Sequence, residues 1–453
     1  MRETNLLKGN IFQILLKMAM PLMGIAFVQM AYQLVDLMWL GRLSTDAVAS
    51  VGAGGFYIWM VQAITLISKT GISVGLAQAY GRKNNNEAED VWVSGFYLNL
   101  FICLILSIIY IVFKDNLIGI YGFNKEVHDM AVTYLFIISI GLIFSFLNPV
   151  LSSSFYSKGN SITPFKIAII ALVFNIILDP ILIFGISIFP RLEVAGAALA
   201  TVIAQAIATF LYLFVGYRNR QIFVRVNYFK LPSKSYFINH LKLGVPASLQ
   251  SVIHATVGII LNKYIASFGA MYAAVYSIGS QIESISWMTS EGFAVAFSAF
   301  FGQNYGAKNF DRLQDGRKEC LKIINLIGIT ATLILFIFSK ELFSIFIPND
   351  PKAVIAGIDY LKILSLSQYF MALEIGTTGM LNGLGLTKYP AINAVILNIL
   401  RIPIAFILMP YIGILGVWAA MTISSVLKGI VLNIIYLSLR KKTEGFKIGM
   451  DSF

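Results

Sequence analysis

Twelve stretches of mainly apolar residues succeed one another along this 453-residue chain, near 12–37, 52–79, 91–113, 129–153, 165–187, 194–216, 243–266, 273–301, 321–339, 357–380, 389–409 and 413–436. Each suffices to cross a hydrocarbon core about 30 Å thick as a helix, which takes about 20 residues. In lipid every backbone polar group must be satisfied within the segment, so such a chain folds as a bundle of membrane-spanning helices. The composition agrees: 58% of residues are hydrophobic and 12% charged, against roughly a quarter charged in soluble domains. The expected fold is an all-α integral membrane protein with twelve transmembrane helices.

An even number of crossings puts both ends on one side, and the distribution of basic residues says which. Arg2, Lys8, Arg82, Lys83, Lys158, Arg218, Arg220, Arg225, Lys308, Arg312, Arg317, Lys388, Arg440 and Lys447 fall on the N-terminal side, whereas only Arg42, Lys114, Lys125, Arg191, Lys340 and Lys352 fall opposite. Both termini are therefore expected in the cytoplasm. The net charge of +12 is spread over short loops, so it records topology and not a nucleic-acid partner. Cys103 and Cys320 form no CxxC pair, and His128, His240 and His254 are scattered, which speaks against a disulfide framework or a histidine metal cage. The first apolar run is too long for a signal-peptide h-region, so no cleaved leader is expected.

The two halves of the chain read as repeats. SVGLAQAYGRKN (Ser73 to Asn84) aligns without gaps on SAFFGQNYGAKN (Ser298 to Asn309), and the same spacing pairs Pro21 with Pro246. At nearly that spacing Asn175-Ile-Ile-Leu-Asp-Pro180 stands against Asn398-Ile-Leu-Arg-Ile-Pro403. A polar linker at 217–239 separates an N-terminal lobe (1–220) from a C-terminal lobe (221–453), with six helices each. Because six is even, both repeats start on the same side of the membrane, which predicts two bundles related by a pseudo-two-fold axis along the membrane normal. Such repeats occur in carriers that alternate access around a midplane site.

The halves differ in their ionisable residues. Asp36 pairs with Leu261, Asp179 with Ile402 and Gln29 with His254, so the N-terminal lobe has two carboxylates that its counterpart lacks. Gln29, Gln33 and Asp36 follow one another at helical spacing and form a polar stripe ending in a carboxylate. A charge near the bilayer centre costs at least about 2.5–3.5 kcal/mol, so it normally faces a cavity or a partner. Asn175 and Asp179 share a face of the fifth helix, Pro180 frees a backbone carbonyl, and Thr201 and Gln205 give the sixth helix a polar face. Asp36, Asn175, Asp179 and Thr201 together offer oxygens to one small hard cation such as Na+, or two acids that share a proton, or a buried network that holds the bundle together. In the C-terminal half His254, Gln281, Glu283, Glu291, Glu374 and Arg401 lie in apolar runs. Glu283, Trp287 and Glu291 recur on one face, suited either to an organic cation or to ion pairs with Arg401 or Lys263. Gly52, Gly54, Gly55, Gly71 and Gly75 offer small faces for close helix contact.

No GxxxxGK[ST] or HExxH sequence occurs, the GxSxG match at Gly71 to Gly75 lies inside the apolar run 52–79 and not at a strand-to-helix turn, and no segment is long enough for an ATPase domain. That reading excludes a primary pump and most membrane hydrolases: not an enzyme, no cofactor, and transport driven by an ion gradient.

Pro21, VDLMWLGRL (Val35 to Leu43), the repeated QxYGxKN at 78–84 and 303–309, NIILDPILIFG (Asn175 to Gly185) and AGAALATVIAQ (Ala195 to Gln205) resemble the MATE family of multidrug and toxic compound extrusion transporters. The resemblance runs from the first helix through the twelfth. It implies two six-helix lobes around a V-shaped cavity and export of amphipathic, often cationic, small organic compounds in exchange for Na+ or H+. It also implies a cation site in the N-terminal lobe on Asp36, Asn175, Asp179 and Thr201. Where one branch of the family carries acids on its seventh and tenth helices, this chain has His254 and Met371, with Glu374 one turn later. The reading is a secondary antiporter in the lipid bilayer, which the resemblance to bacterial branches of the family implies to be the inner (cytoplasmic) membrane of a bacterium, with nothing that demands more than a monomer. A flippase for lipid-linked saccharide precursors is the alternative, and an ion channel is further off.

Overall fold

The structure is a computed structural model that describes residues 3–186, 188–348, 350–443 and 446. Arg2 and Lys447, and residue 187 at the end of the fifth expected span, lie outside the described residues. The described residues form no strand, and their helices run in the order α1 (Ile11–Leu43), α2 (Thr45–Arg82), α3 (Asn85–Gly119), α4 (Lys125–Ser157), α5 (Ile162–Phe184), α6 (Glu193–Arg218), α7 (Ile222–Arg225), α8 (Lys234–Ser267), α9 (Ala270–Gly306), α10 (Phe310–Ile337), α11 (Ser339–Ser344), α12 (Pro351–Gly383), α13 (Lys388–Ile399), α14 (Arg401–Ile412) and α15 (Ile414–Lys442). Among the described residues ten segments are long and apolar enough to cross a membrane, Lys388–Ile412 counting as one. The equally long α9 and α12, which carry Glu283, Glu291 and Glu374, complete the twelve spans.

Most helices overrun their apolar stretches. The 33 residues of α1 extend over about 50 Å, well beyond the hydrocarbon core, because polar ends keep the helical backbone bonded outside it. Side chains fix several starts: Ser44, Asn84 and Asn124 accept from the backbone N–H three residues on, and Asp350 caps α12 ahead of Pro351. The repeat is visible in the backbone as well. Lys83 and Lys308, which it pairs, both take φ 56° just after α2 and α9, the left-handed conformation that ends a helix. The eleventh span, expected as one helix, breaks at Leu400 between α13 and α14, whereas α5 runs unbroken through Pro180. The linker region holds the short α7 and the start of α8.

The chain forms two compact units: Met1–Thr4 with Gly24–Ser248, and Asn5–Met23 with Leu249–Phe453. They differ from a single cut at 220, because the first part of α1 packs with the second unit and the first part of α8 with the first. In the first unit α4 packs against α2, α3 and α6, and α5 against α6, around Tyr57, Tyr134, Phe146 and, nearer the other end, Trp92 and Phe155. There His240 of α8 is fully enclosed, its Nε2 2.9 Å from the Val91 carbonyl. In the second unit α12 is central, touching α9, α10 and α15 around Tyr360, Trp418 and Phe343. Leu6 is buried there, its carbonyl accepting from Asn304 and Arg312.

Close helix approach explains some of the expected small faces and not others. A Cβ on Gly71 would meet His240 at 2.3 Å, one on Gly54 would meet Tyr134 at 2.5 Å and one on Gly75 would meet Val91 at 2.8 Å, whereas Gly52 and Gly55 have nothing within 4 Å. The tightest approach is Gly244, where a Cβ would lie 1.9 Å from the Ile67 carbonyl oxygen. Gly244→Ala should therefore cost about 1–3 kcal/mol through forced backbone movement. Gly52→Ala should be neutral or stabilising by up to about 1 kcal/mol. Thermal unfolding midpoints of the two purified variants check the contrast, and equal midpoints would contradict it.

Candidate functional site

The first unit brings Asp36, Asn175, Asp179 and Thr201 together from three helices. Asp36 lies one turn before Leu40, which is buried in the core and fixes the rotation of α1. From there the carboxyl lies beside Asp179, Asn175 and Thr201, near enough to interact with all three. The Thr201 hydroxyl donates to Asp36 Oδ2 at 3.5 Å, and the Asn175 amide donates to Asp179 Oδ1 at 3.2 Å. Asn175 and Asp179 are completely buried. Their i, i+4 spacing on α5 puts both on the face turned to the bundle interior. Tyr32 and Tyr134 lie close enough to interact electrostatically with both carboxyls, and Gly54 leaves the space that the Tyr134 ring fills.

Acceptors outnumber donors in this cluster. Asp36 Oδ1, Asn175 Oδ1 and Asp179 Oδ2 are buried and have no hydrogen-bond partner, and among the described residues no lysine or arginine forms an ion pair with either acid. Two carboxyls in contact, with three unused oxygens and no internal cation, call for positive charge from outside. A proton shared by the pair supplies it, as does a hard cation, whose preferred ligands are carboxylate, amide and hydroxyl oxygens. The donor set fits either.

The other expected polar residues separate. Gln29 and Gln33 are exposed on α1. Gln205 is engaged in packing α4 against α6: Asn148 donates to its side-chain oxygen at 2.7 Å and its backbone oxygen at 2.9 Å, and Thr209 donates to Asn148.

In the second unit the expected ion pairs of Glu283 with Arg401 or Lys263 are not formed. Glu283 instead accepts from the Gln368 amide at 3.1 Å and the Tyr360 hydroxyl at 3.5 Å. The Arg401 guanidinium, 7% exposed, donates to the hydroxyls of Ser424 and Ser425 at 3.1 and 3.0 Å. His254 contacts Asn398, the repeat counterpart of Asn175, and is itself exposed, as are Gln281, Trp287 and Glu291. Glu374 is closed off by Lys428 of α15, whose Nζ lies 2.9 Å from Oε2 with both side chains under 10% exposed. Sequence reading passed over Lys428, although a lysine in the middle of an apolar span was signal enough. In the second unit Glu374 is thus paired with a lysine and Glu283 is held by neutral dipoles, whereas Asp36 and Asp179 of the first have no ion-pair partner among the described residues.

The sequence matches the MatE family over residues 21–181 and 246–407. A probable multidrug resistance protein NorM of Thermotoga maritima is 27% identical, covering 94% of this chain and 92% of that protein. A probable multidrug resistance protein YoeA of Bacillus subtilis is 29% identical, covering 91% and 90%. An FAD transporter of Shewanella oneidensis is 25% identical, covering 94% of each. Among solved structures, a MATE protein in complex with MaL6 superimposes with a TM-score of 0.90 at 22% identity, over 98% of this chain and 100% of that one. A MOP-superfamily transporter of Pyrococcus furiosus gives 0.89 at 22% identity, over 98% of both. With both halves matched in order and the full length covered, this chain belongs to the MatE family of membrane transporters.

Proposed function

We propose that the protein is a multidrug exporter that exchanges amphipathic, often cationic, organic compounds for Na+ or H+. The observation that carries the reading is the acceptor-rich cluster of Asp36, Asn175, Asp179 and Thr201, which has no internal cation. Cation or proton uptake from the high side of a gradient neutralises the two acids and lets α1, α5 and α6 close on one another. Its release on the other side restores repulsion between the acids and opens the cluster again. Only a difference in ion affinity between the two states of the carrier turns the gradient into work. The relatives named as multidrug resistance proteins support export as the direction. On this reading the protein works as a monomer in the cytoplasmic membrane with both termini inside, and it has no nucleic-acid partner.

Efflux of a fluorescent cationic dye from proteoliposomes, with either a Na+ or an H+ gradient imposed, tests the proposal. One gradient should accelerate dye release, and a matching ionophore that collapses it should return release to the protein-free rate. If neither gradient moves the dye through folded protein, the antiporter reading fails.

A further inference from the structure

The second unit contains two acid–base pairs that are handled differently. Lys428 and Glu374 are in direct contact, so each neutralises the other. Arg401 and Glu283 are near enough to interact electrostatically, with Glu374 in range of the one and Lys428 of the other, yet they stand apart as a split pair. Among the described residues neither has an oppositely charged group within ion-pair distance. Each is held by neutral dipoles. The Ser424 hydroxyl gives its proton to the Leu397 carbonyl at 2.7 Å, which leaves its lone pairs for Arg401 Nε. The Gln368 amide and the Tyr360 hydroxyl hold Glu283 from the α12 side.

Such an arrangement is wasteful as pure scaffolding. A buried charge without a counter-ion in contact is destabilising, and Lys428 and Glu374 avoid that cost by meeting. Holding them apart keeps one guanidinium and one carboxylate in fixed positions. Arg401 uses only part of its five-donor fork on the serines, and the remaining N–H groups suit a carboxylate in bidentate geometry. Glu283 has aromatic neighbours: Tyr360 packs edge-on against Tyr276 with centroids 6.2 Å apart, and exposed Trp287 follows one turn later on the same face of α9. An ammonium beside a carboxylate and aromatic faces is well placed. Access on the Arg401 side is marked by exposed His254, which is within electrostatic range of the guanidinium.

We propose that the second unit contains a zwitterion site, in which Arg401 takes the carboxylate and Glu283 the ammonium of an amphipathic ligand whose apolar body lies against Trp287 and Tyr276. The inference rests on the transporter reading, and it narrows the substrate class from cations to compounds that carry both charges. A cationic ligand satisfies Glu283 and leaves Arg401 with no group of opposite charge in contact; an anionic ligand does the reverse. Only a zwitterion closes both halves of the split pair.

Fluorescence titration of the purified full-length protein, with no gradient present, tests this with three probes of one skeleton: Nε-dansyl-lysine, its methyl ester and its Nα-acetyl derivative. The wild type should bind the zwitterion at least about tenfold more tightly than either single-charge derivative. Arg401→Gln should weaken the zwitterion and the acetyl derivative by about tenfold and leave the ester within about twofold. Glu283→Gln should give the crossed pattern, sparing the acetyl derivative. Should Arg401→Gln fail to fold, Arg401→Lys, which keeps the charge and loses the fork, is expected to weaken the same two probes. Equal shifts for all three probes, or no binding by the wild type, overturn the site. Because binding is read without a gradient, failed gradient-driven efflux leaves this selectivity intact, and unselective binding leaves efflux intact, so the two readings fail separately.

Discussion

Asp36→Asn is expected to abolish gradient-driven export while the protein still folds and inserts. Asparagine has nearly the shape of aspartate, its oxygen still accepts from the Thr201 hydroxyl, and its amide can donate to the otherwise unpartnered Asp179 Oδ2. The substitution therefore satisfies one open acceptor with a protein group and leaves one acid in place of two, which reduces the need for an external charge. It also removes the repulsion that the cation relieves, and with it the difference in ion affinity between the two states that drives transport. Initial efflux rates in proteoliposomes should fall by at least about a hundredfold, toward the protein-free background. A second readout separates lost coupling from damage. A coupling cation that binds the folded wild type at a hundred times its Kd stabilises it by about 2.7 kcal/mol, and the variant should show none of this protection. Thermal midpoints with and without Na+, at two pH values, then identify the ion as well. Asp179→Asn should behave in the same way, because its oxygens belong to the same acceptor set. Undiminished driven efflux by Asp36→Asn would remove the cluster from the mechanism.

The carboxylates of this cluster were legible in the sequence because an aspartate inside an apolar run is rare and expensive. Helical spacing then put Asn175 with Asp179, and repeat comparison isolated Asp36 and Asp179 as unmatched. What the spacing did not carry was contact across helices. Gln205 and Thr201 share a helix face, yet Gln205 is taken up by Asn148 of α4. Glu283 faces Gln368 and Tyr360, and Glu374 faces Lys428, because the order in which α9, α12 and α15 pack is a tertiary fact. The same holds for the glycines of α2: Gly54 and Gly71 are pressed by neighbours and Gly52 and Gly55 are not, although all four look alike in the chain. Hydropathy located the spans but not their ends, since the polar turns that continue each helix outside the lipid carry no apolar signal. The division of α1 and α8 between the two units left no trace in the pattern at all.

Lys428→Met should destabilise the protein by about 3–5 kcal/mol, the usual loss when one partner of a buried ion pair is removed. Methionine fills the space of the lysine stem, so little of the cost is cavity. Nearly all of it is the Glu374 carboxylate, left in a site where the Lys428 ammonium, 2.9 Å away, was its counter-ion. Glu374→Gln should also be costly, because it leaves Lys428 facing the Arg401 guanidinium with one acid fewer between them. The double variant Lys428→Met/Glu374→Gln removes both charges, and such replacements are often neutral or stabilising. It should recover most of the loss, giving a coupling energy of at least about 2 kcal/mol in a double-mutant cycle. Thermal midpoints in detergent measure it, with heating rate held constant because large membrane proteins unfold irreversibly. A single-variant cost below about 1 kcal/mol would mean that water reaches the pair, against its burial. The double variant also bears on the open pair beside it. With Lys428 and Glu374 gone, Arg401 and Glu283 lose one neighbour of each sign and keep their serine, glutamine and tyrosine partners, so the difference between zwitterion and single-charge probes should survive. Stability and ligand selectivity in the second unit would then rest on two different acid–base pairs, one closed and one held open.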